Sequence, residues 1–145
     1  MAFIKWSGAT DRGTALTTEL DALAAGSRSN AGSEIANQTN KDKYAVLELT
    51  VDFVSAPAAG GFVRIYMVVA PDGTNYEDGS SSVDPGAHKV VRTIPVRADT
   101  AAQRLTSVPF LLSPYKTKFL LTNDTSQAFP ASGSQVKLYT WNDEG

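Results

Sequence analysis

The sequence contains no cysteine and a single histidine, His88. The absence of cysteine excludes disulfide bonds, thiolate metal sites and cysteine nucleophiles, and it is compatible with folding in a reducing cytoplasm. A catalytic triad needs a histidine or an equivalent base beside its nucleophile, whereas His88 follows the turn-forming residues 84–86. We therefore interpret His88 as a loop residue, and we expect neither enzymatic activity nor a cofactor.

Long apolar runs and an excess of charge are also missing. The 145 residues include 13 basic and 15 acidic side chains, which give a formal net charge of −2. Binding to nucleic acid or to an anionic membrane generally needs a basic patch, so we expect neither partner. No apolar run approaches the length of a membrane-spanning helix, and the N-terminal residues lack the apolar core of a signal peptide. These features favour a soluble, non-secreted product.

What the sequence does contain is an alternation of apolar and polar residues between positions 44 and 69. The apolar residues of one side are Ala45, Leu47, Leu49, Val51 and Phe53, followed after a turn by Val63, Ile65, Met67 and Val69. A period of two predicts half-buried β-strands, and the simplest connection between them is a β-hairpin. We expect most of these side chains to share one interior with Phe119 and Leu121 of a later strand.

Several further strands are predicted along the chain. They cover residues 89–97, 103–112, 115–121 and 136–139, with a weaker strand at 33–36. Pro95 and Pro109 place two of them at a sheet edge or a bulge, because proline lacks the N–H of a strand ladder. Six to eight short strands separated by glycine, proline and asparagine turns predict a mainly β fold, a single antiparallel β-sandwich of jelly-roll or Greek-key type.

The first 40 residues follow a different pattern. Phe3, Ile4 and Trp6 fit neither the helical nor the strand period, which indicates an N-terminal arm. Residues 14–25 carry leucines at helical spacing and predict a short amphipathic helix, and residues 27–40 have the composition of a linker. The predicted organisation is an arm with a short helix at 1–40 and a β-sandwich domain at 41–145.

Two positions for this N-terminal region remain open. Its leucines can pack on the body of the same chain, or arm and helix can dock on a neighbouring subunit, because exposed apolar patches usually mark partner surfaces. In the second case the candidate partner-binding residues are Phe3, Ile4, Trp6, Leu16, Leu20 and Leu23.

The sequence also contains candidates for two other kinds of site. Asp72, Glu77, Asp78 and Asp84 are close together in one loop and could ligate calcium, although their spacing does not match an EF-hand and a solvated acidic loop is the simpler interpretation. A sugar-binding module would need an exposed aromatic platform. The candidates for that platform are Tyr66, Tyr76, Tyr139 and Trp141.

Nearly the whole chain resembles a group of small structural proteins encoded by tailed bacteriophages and prophages. The segments that carry the resemblance are LTTELDALA at 16–24, YAVLELTV at 44–51, PDGTNYEDG at 71–79, FLLTN at 119–123 and AFPASG at 128–133. The resemblance implies a non-enzymatic virion protein. It is compatible with a capsid decoration or cement protein and, as the alternative, with a tail-associated receptor- or carbohydrate-binding module.

For a decoration protein the resemblance also implies partners and a location. The partners are the major capsid protein and copies of the chain itself, since cement proteins of jelly-roll type commonly form trimers. The location is the capsid surface of the virion, reached after assembly in the cytoplasm of the bacterial host.

Overall fold

The computed structural model describes residues 5–144, which fold mainly into antiparallel β-strands. The strands are β1 (Lys5–Trp6), β2 (Thr10–Leu16), β3 (Ile35–Ala36), β4 (Tyr44–Val51), β5 (Phe62–Ala70), β6 (Val90–Pro95), β7 (Gln103–Thr106), β8 (Phe110–Leu111), β9 (Lys116–Asp124), β10 (Gln135–Trp141) and β11 (Asp143–Glu144). Helical structure comprises one α-helical turn, α1 (Asn37–Asn40), and 3-10 turns at Thr18–Leu20 and Ala87–Lys89. Among the residues described, no helix is long and apolar enough to cross a membrane.

The strands form two main sheets and a short ribbon. The first sheet has the order β2-β10-β4-β7, and β8 also pairs with β4. The second sheet has the order β3-β9-β5-β6. β1 and β11 pair with each other outside both sheets. Thus the two ends of the described chain lie side by side.

One apolar core lies between the inner faces of the two sheets. Its fully buried members include Leu47, Leu49, Val63, Ile65, Phe119, Leu121, Val136 and Leu138. Phe110 of the first sheet meets Phe119 of the second edge to face, with ring centroids 6.3 Å apart. This arrangement is consistent with a β-sandwich. It confirms the predicted interior, in which Met67 is only partly buried.

The predicted hairpin between residues 44 and 69 is wrong. β4 pairs with β10, β7 and β8, whereas β5 pairs with β6 and β9 in the other sheet. The two apolar faces are therefore opposed across the core and do not lie side by side in one sheet. The connecting residues 52–61 are long enough to cross the roughly 10 Å between packed sheets.

The predicted helix at 14–25 is also wrong. Residues up to Leu16 belong to β2 and pair with β10, and only a 3-10 turn follows. Beyond that turn, backbone groups bind distant loops: the N–H of Ala22 donates to the carbonyl of Pro130, and the N–H of Phe129 donates to the carbonyl of Leu23. These bonds satisfy backbone groups that an α-helix would pair internally.

The body of the protein consequently begins near Thr10 and not at Lys41, the predicted boundary. β2 belongs to the first sheet, and β3 belongs to the second. The polar segment before β3 runs along β9, where the N–H of Ser29 donates to the carbonyl of Leu121 at 2.8 Å. Ser29 is buried, and its hydroxyl accepts a hydrogen bond from the N–H of Leu121 at 3.0 Å, so the polar composition of this segment serves its bonding to β9.

The second sheet is also covered on part of its outer face. Tyr66, Val68 and Leu120 form a small buried cluster there, and Ala31, Tyr76 and Val90 pack against it. Because β5 is apolar on both faces in this region, its sequence departs from strict alternation.

Leu49 tests the core assignment. Its side chain is fully buried between the sheets, so Leu49→Ala should lower the free energy of unfolding by about 2–5 kcal/mol through lost burial and a residual cavity. The measurement is urea denaturation followed by circular dichroism. The matched control is Thr50→Ala on the opposite face of the same strand, which should cost less than about 1 kcal/mol. A larger loss for Thr50→Ala than for Leu49→Ala would reverse the register.

Candidate partner-binding site

The outer face of the first sheet is divided into a charged end and an aromatic end. At the charged end, Nζ of Lys137 lies 3.0 Å from a carboxylate oxygen of Asp11. Nε of Arg104 lies 3.1 Å from a carboxylate oxygen of Glu48. At the other end, the strand register places Trp141 on one side of Tyr44 and Leu111 on the other. Three strands therefore contribute one large apolar side chain each to a continuous row.

This row and one neighbour make an aromatic patch, defined here as Trp6, Tyr44, Leu111 and Trp141. Tyr44 stacks on Trp141 with ring centroids 5.9 Å apart, and Trp6 contacts the same indole at 6.2 Å. Trp6 is 70% exposed and Leu111 is 65% exposed. The patch borders a surface depression of about 350 Å³. Two strongly exposed apolar side chains, Trp6 and Leu111, thus lie together with two half-exposed aromatic rings in one patch.

Trp6 reaches the patch because the two ends of the chain pair. In the β1–β11 ribbon, Trp6 lies opposite Asp143. The N–H of Ser7 donates to the carbonyl of Asn142 at 2.8 Å, and the N–H of Asn142 donates to Oγ of Ser7 at 2.9 Å. Hydrogen bonds therefore fix the approach of the N-terminal strand to the end of β10.

A buried ionic cluster lies beside the patch and ties its strands together. The carboxylate of Asp42, just before β4, accepts bonds from Nε of Arg12 at 2.8 Å and from the hydroxyl of Thr140 at 2.8 Å. Arg12 belongs to β2, and Thr140 precedes Trp141 in β10. A buried carboxylate is tolerated when it is paired and hydrogen-bonded in this way.

Arg92 supports the Leu111 side of the patch. It extends from β6 of the second sheet, donates through Nε to the carbonyl of Val108 at 2.8 Å and also bonds the carbonyl of Pro109. Its guanidinium carbon lies 5.7 Å from the centre of the Phe110 ring. One side chain therefore connects the adjacent edges of both sheets and holds the backbone that presents Leu111.

An exposed ion pair secures the ribbon beside the aromatic patch. Nζ of Lys43 lies 2.8 Å from the carboxylate of Asp143. The hydrogen bond from Lys43 lowers the pKa of Asp143, and the same bond raises the pKa of Lys43. The pair thus favours the charged form of both groups at neutral pH.

The predicted partner-binding residues occupy different places. Trp6 belongs to the aromatic patch. Leu16, Leu20 and Leu23 are buried in the chain's own core, which corrects the idea that they form a docking face and agrees with the alternative that they pack on the body of the chain. Phe3 and Ile4 lie outside the described residues.

The predicted aromatic platform is not assembled as one surface. Tyr66 is buried, and the hydroxyl of Tyr76 donates to the carboxylate of Glu34 at 2.7 Å. Burial and this bond raise the pKa of Tyr76. Tyr139 and Trp141 lie on the same face of β10 and are half-exposed, so these two candidates remain beside or within the aromatic patch.

The acidic loop is held by local bonds. The carboxylate of Asp72 accepts hydrogen bonds from the N–H groups of Thr74 and Asn75. Nζ of Lys89 lies 2.6 Å from a carboxylate oxygen of Glu77. Within residues 5–144, no three histidine, cysteine or acidic side chains are grouped so that they could hold a metal ion.

Sequence reasoning missed Tyr44 and Leu111 as site residues. The alternation in β4 placed Tyr44 on the outer face, and this was the available signal. Val108 and Phe110 are spaced by two within the predicted strand 103–112, but Val108 is 69% exposed whereas Phe110 is buried. The reason is an extra residue between β7 and β8: Glu48 lies opposite Thr106, whereas Ala45 lies opposite Phe110. Such a shift turns a side chain to the other face.

Comparison with protein-family models gives no match, and comparison with curated protein sequences gives no significant match.

The two tryptophans of the chain, Trp6 and Trp141, both lie in the aromatic patch, so intrinsic tryptophan fluorescence reports on this site. The depressed pKa of Asp143 means that its ion pair is fully present above about pH 4, the ordinary value for aspartate. The pair is lost as the pH falls through the lower folded-state value. Tryptophan emission should therefore change during acidification below about pH 4.

Asp143→Asn is the control for this acid transition. The variant lacks the ion pair at every pH, so its emission at neutral pH should resemble that of the acidified parent, and the step should disappear. Far-UV circular dichroism on the same samples separates a local change from global unfolding. An identical acid step in Asp143→Asn would assign the transition to another group.

Proposed function

We propose that this chain is a non-enzymatic structural protein of a tailed-bacteriophage or prophage virion, and that it decorates and stabilises the capsid by binding the shell through its aromatic patch. The observation that carries the proposal is the exposure of Trp6 and Leu111 on a fixed part of the fold. The resemblance of the sequence to phage structural proteins indicates the class of partner.

The chemistry of the aromatic patch suits a protein interface. Clustered exposed apolar side chains usually mark partner surfaces, and tryptophan and tyrosine are enriched among the residues that dominate binding energy. Tyr44 and Trp141 are already ordered by mutual stacking, so binding would cost little additional side-chain entropy. Phe3 and Ile4, predicted to form one N-terminal arm with Trp6, closely precede it in the sequence and are proposed to extend the same contact.

The sheet topology, the oligomeric state and the location are proposed from the same resemblance. The sandwich is proposed to be of jelly-roll or Greek-key type, in keeping with successive strands that change sheets between β4 and β5 and between β9 and β10. Copies of the chain are proposed to associate, with a homotrimer as the first arrangement to test. The proposed location is the outer capsid surface, after assembly in the host cytoplasm.

A second candidate function is a receptor- or carbohydrate-binding module of the phage tail. The stack of Tyr44 on Trp141 favours it, because aromatic rings can provide a face for a sugar. The two functions differ in their partner. A decoration protein binds capsids to saturation at a fixed ratio, and a tail module binds an isolated host surface glycan.

The capsid proposal is tested by co-sedimentation with purified capsids of the phage or prophage that encodes the chain. Leu111→Ser and Trp6→Ser should each weaken binding by about tenfold or more if these residues are interface hot spots. The matched control is Val54→Ser, which also replaces an exposed apolar residue; Val54 is 82% exposed and follows the opposite end of β4 from Tyr44. Val54→Ser should bind like the parent.

Two outcomes would contradict the capsid proposal. The first is an absence of saturable capsid binding by the parent protein. The second is equal weakening by Leu111→Ser and Val54→Ser, which would show that the aromatic patch is not the contact. Saturable binding of host surface glycans, lost in Trp141→Ala, would instead favour the tail module.

A further inference from the structure

A second depression lies on the outer face of the other sheet and has a mainly polar lining. Its floor is made by Arg64 and Tyr66 of β5 and by Thr122 of β9, and Arg64 lies directly opposite Thr122 in the strand register. Residues 26–28 and the loop around Ser81 and Asp84 form its walls. The volume of about 350 Å³ falls in the lower part of the range typical of small-molecule sites.

Arg28 is held in place in this depression, named here the polar pocket, but its ion pair is long and solvent-exposed. The backbone of Arg28 forms an isolated antiparallel β-bridge with Thr122. Its Nε donates a hydrogen bond to the carbonyl of Ser80 at 2.6 Å. Nη1 lies 3.9 Å from the carboxylate of Asp84. The Asp84 side chain is 73% exposed, whereas that of Arg28 is 16% exposed. A long, solvated ion pair of this kind contributes little, so another oxyanion could replace Asp84.

Arg64 supplies a second fixed cation. Nε and Nη2 bind the two oxygens of Asp124 at 2.5 and 3.2 Å, which orients the guanidinium plane. Next to it, the hydroxyls of Tyr66 and Thr122 lie 3.5 Å apart. Both hydroxyls can donate and accept hydrogen bonds. The floor of the pocket thus offers an oriented cation beside two neutral polar groups.

We infer that this polar pocket binds a small sugar that carries an oxyanion, either a carboxylate or a phosphate. The oxyanion pairs with Arg28 in place of Asp84, and sugar hydroxyls bond Tyr66 and Thr122. Two aspartates balance the two arginines, so binding proceeds by exchange of one anion for another and not by attraction to net positive charge. This inference is independent of the proposed capsid contact, which uses the other sheet.

The test is titration of the ¹⁵N-labelled full chain by NMR at constant ionic strength. The probes are glucuronate and glucose 6-phosphate, with glucose as the neutral control and inorganic phosphate as the free anion. The acidic sugars should give saturable shifts at the amides of residues 26–28, 64–66 and 122, and glucose should give none. Equal shifts with inorganic phosphate would support an oxyanion site that recognises the anion alone and not the sugar.

Charge variants give the sharper comparison. Arg28→Gln should weaken binding by about tenfold or more, because it removes a charged hydrogen-bond donor. Asp84→Asn should strengthen binding, because it removes the competing carboxylate. The controls are Arg104→Gln and Asp52→Asn, which make the same charge changes at exposed positions elsewhere and should bind like the parent.

Each outcome decides the inference. It is overturned if neither acidic sugar gives saturable shifts, or if Arg104→Gln weakens binding as much as Arg28→Gln. If Arg28→Gln does not fold, Asp84→Asn decides alone: tighter binding supports the exchange of anions, and unchanged binding overturns it.

Discussion

The paired carboxylate of Asp42 is the interaction on which the aromatic end of the structure depends. It accepts hydrogen bonds from Arg12 of β2 and Thr140 of β10 and lies two residues before the start of β4. Removing one partner of a buried ion pair leaves a charge without compensation, which is far more costly than loss of a surface pair. Because the three connected strands are neighbours in the first sheet, this cluster fixes where the final strand of that sheet lies.

The placement of β10 between β2 and β4 determines where the two ends of the chain meet. Seven consecutive residues of β10 lie opposite β4, ending with Trp141 opposite Tyr44. The ribbon of β1 and β11 then brings Trp6 to the same indole. The aromatic patch is therefore built on paired backbone and not on a loose tail. Its rings are ordered before any partner arrives, which lowers the entropic cost of binding.

Alternation in the sequence predicted which side chains are buried, but it did not predict which strands are neighbours. Leu47 and Leu49 are inside as expected, because a period of two assigns a face to each residue. β4 pairs with β10 as well as with β7 and β8. Its residues are 85 to 97 positions from their partners in β10, from Thr50 with Gln135 to Tyr44 with Trp141, and local periodicity carries no information about such pairing. Trp6 was identified from sequence as a site residue. Tyr44 joins it through the pairing of β4 with β10, and Leu111 joins it through the pairing of β4 with β8. The leucines at 16, 20 and 23 fit a helical spacing. Backbone hydrogen bonds to distant residues nevertheless hold their segment as the end of a strand followed by turns.

The most direct test of the proposed capsid contact is the tryptophan emission of the protein while it is titrated onto purified capsids. Both tryptophans contact each other in the aromatic patch, and Trp6 is largely solvent-exposed in the free protein. Burial against the shell should shift emission to shorter wavelength, and the change should saturate at a fixed ratio of protein to capsid subunit. Saturable capsid binding with unchanged tryptophan emission would contradict the account, because the contact would then lie elsewhere on the molecule.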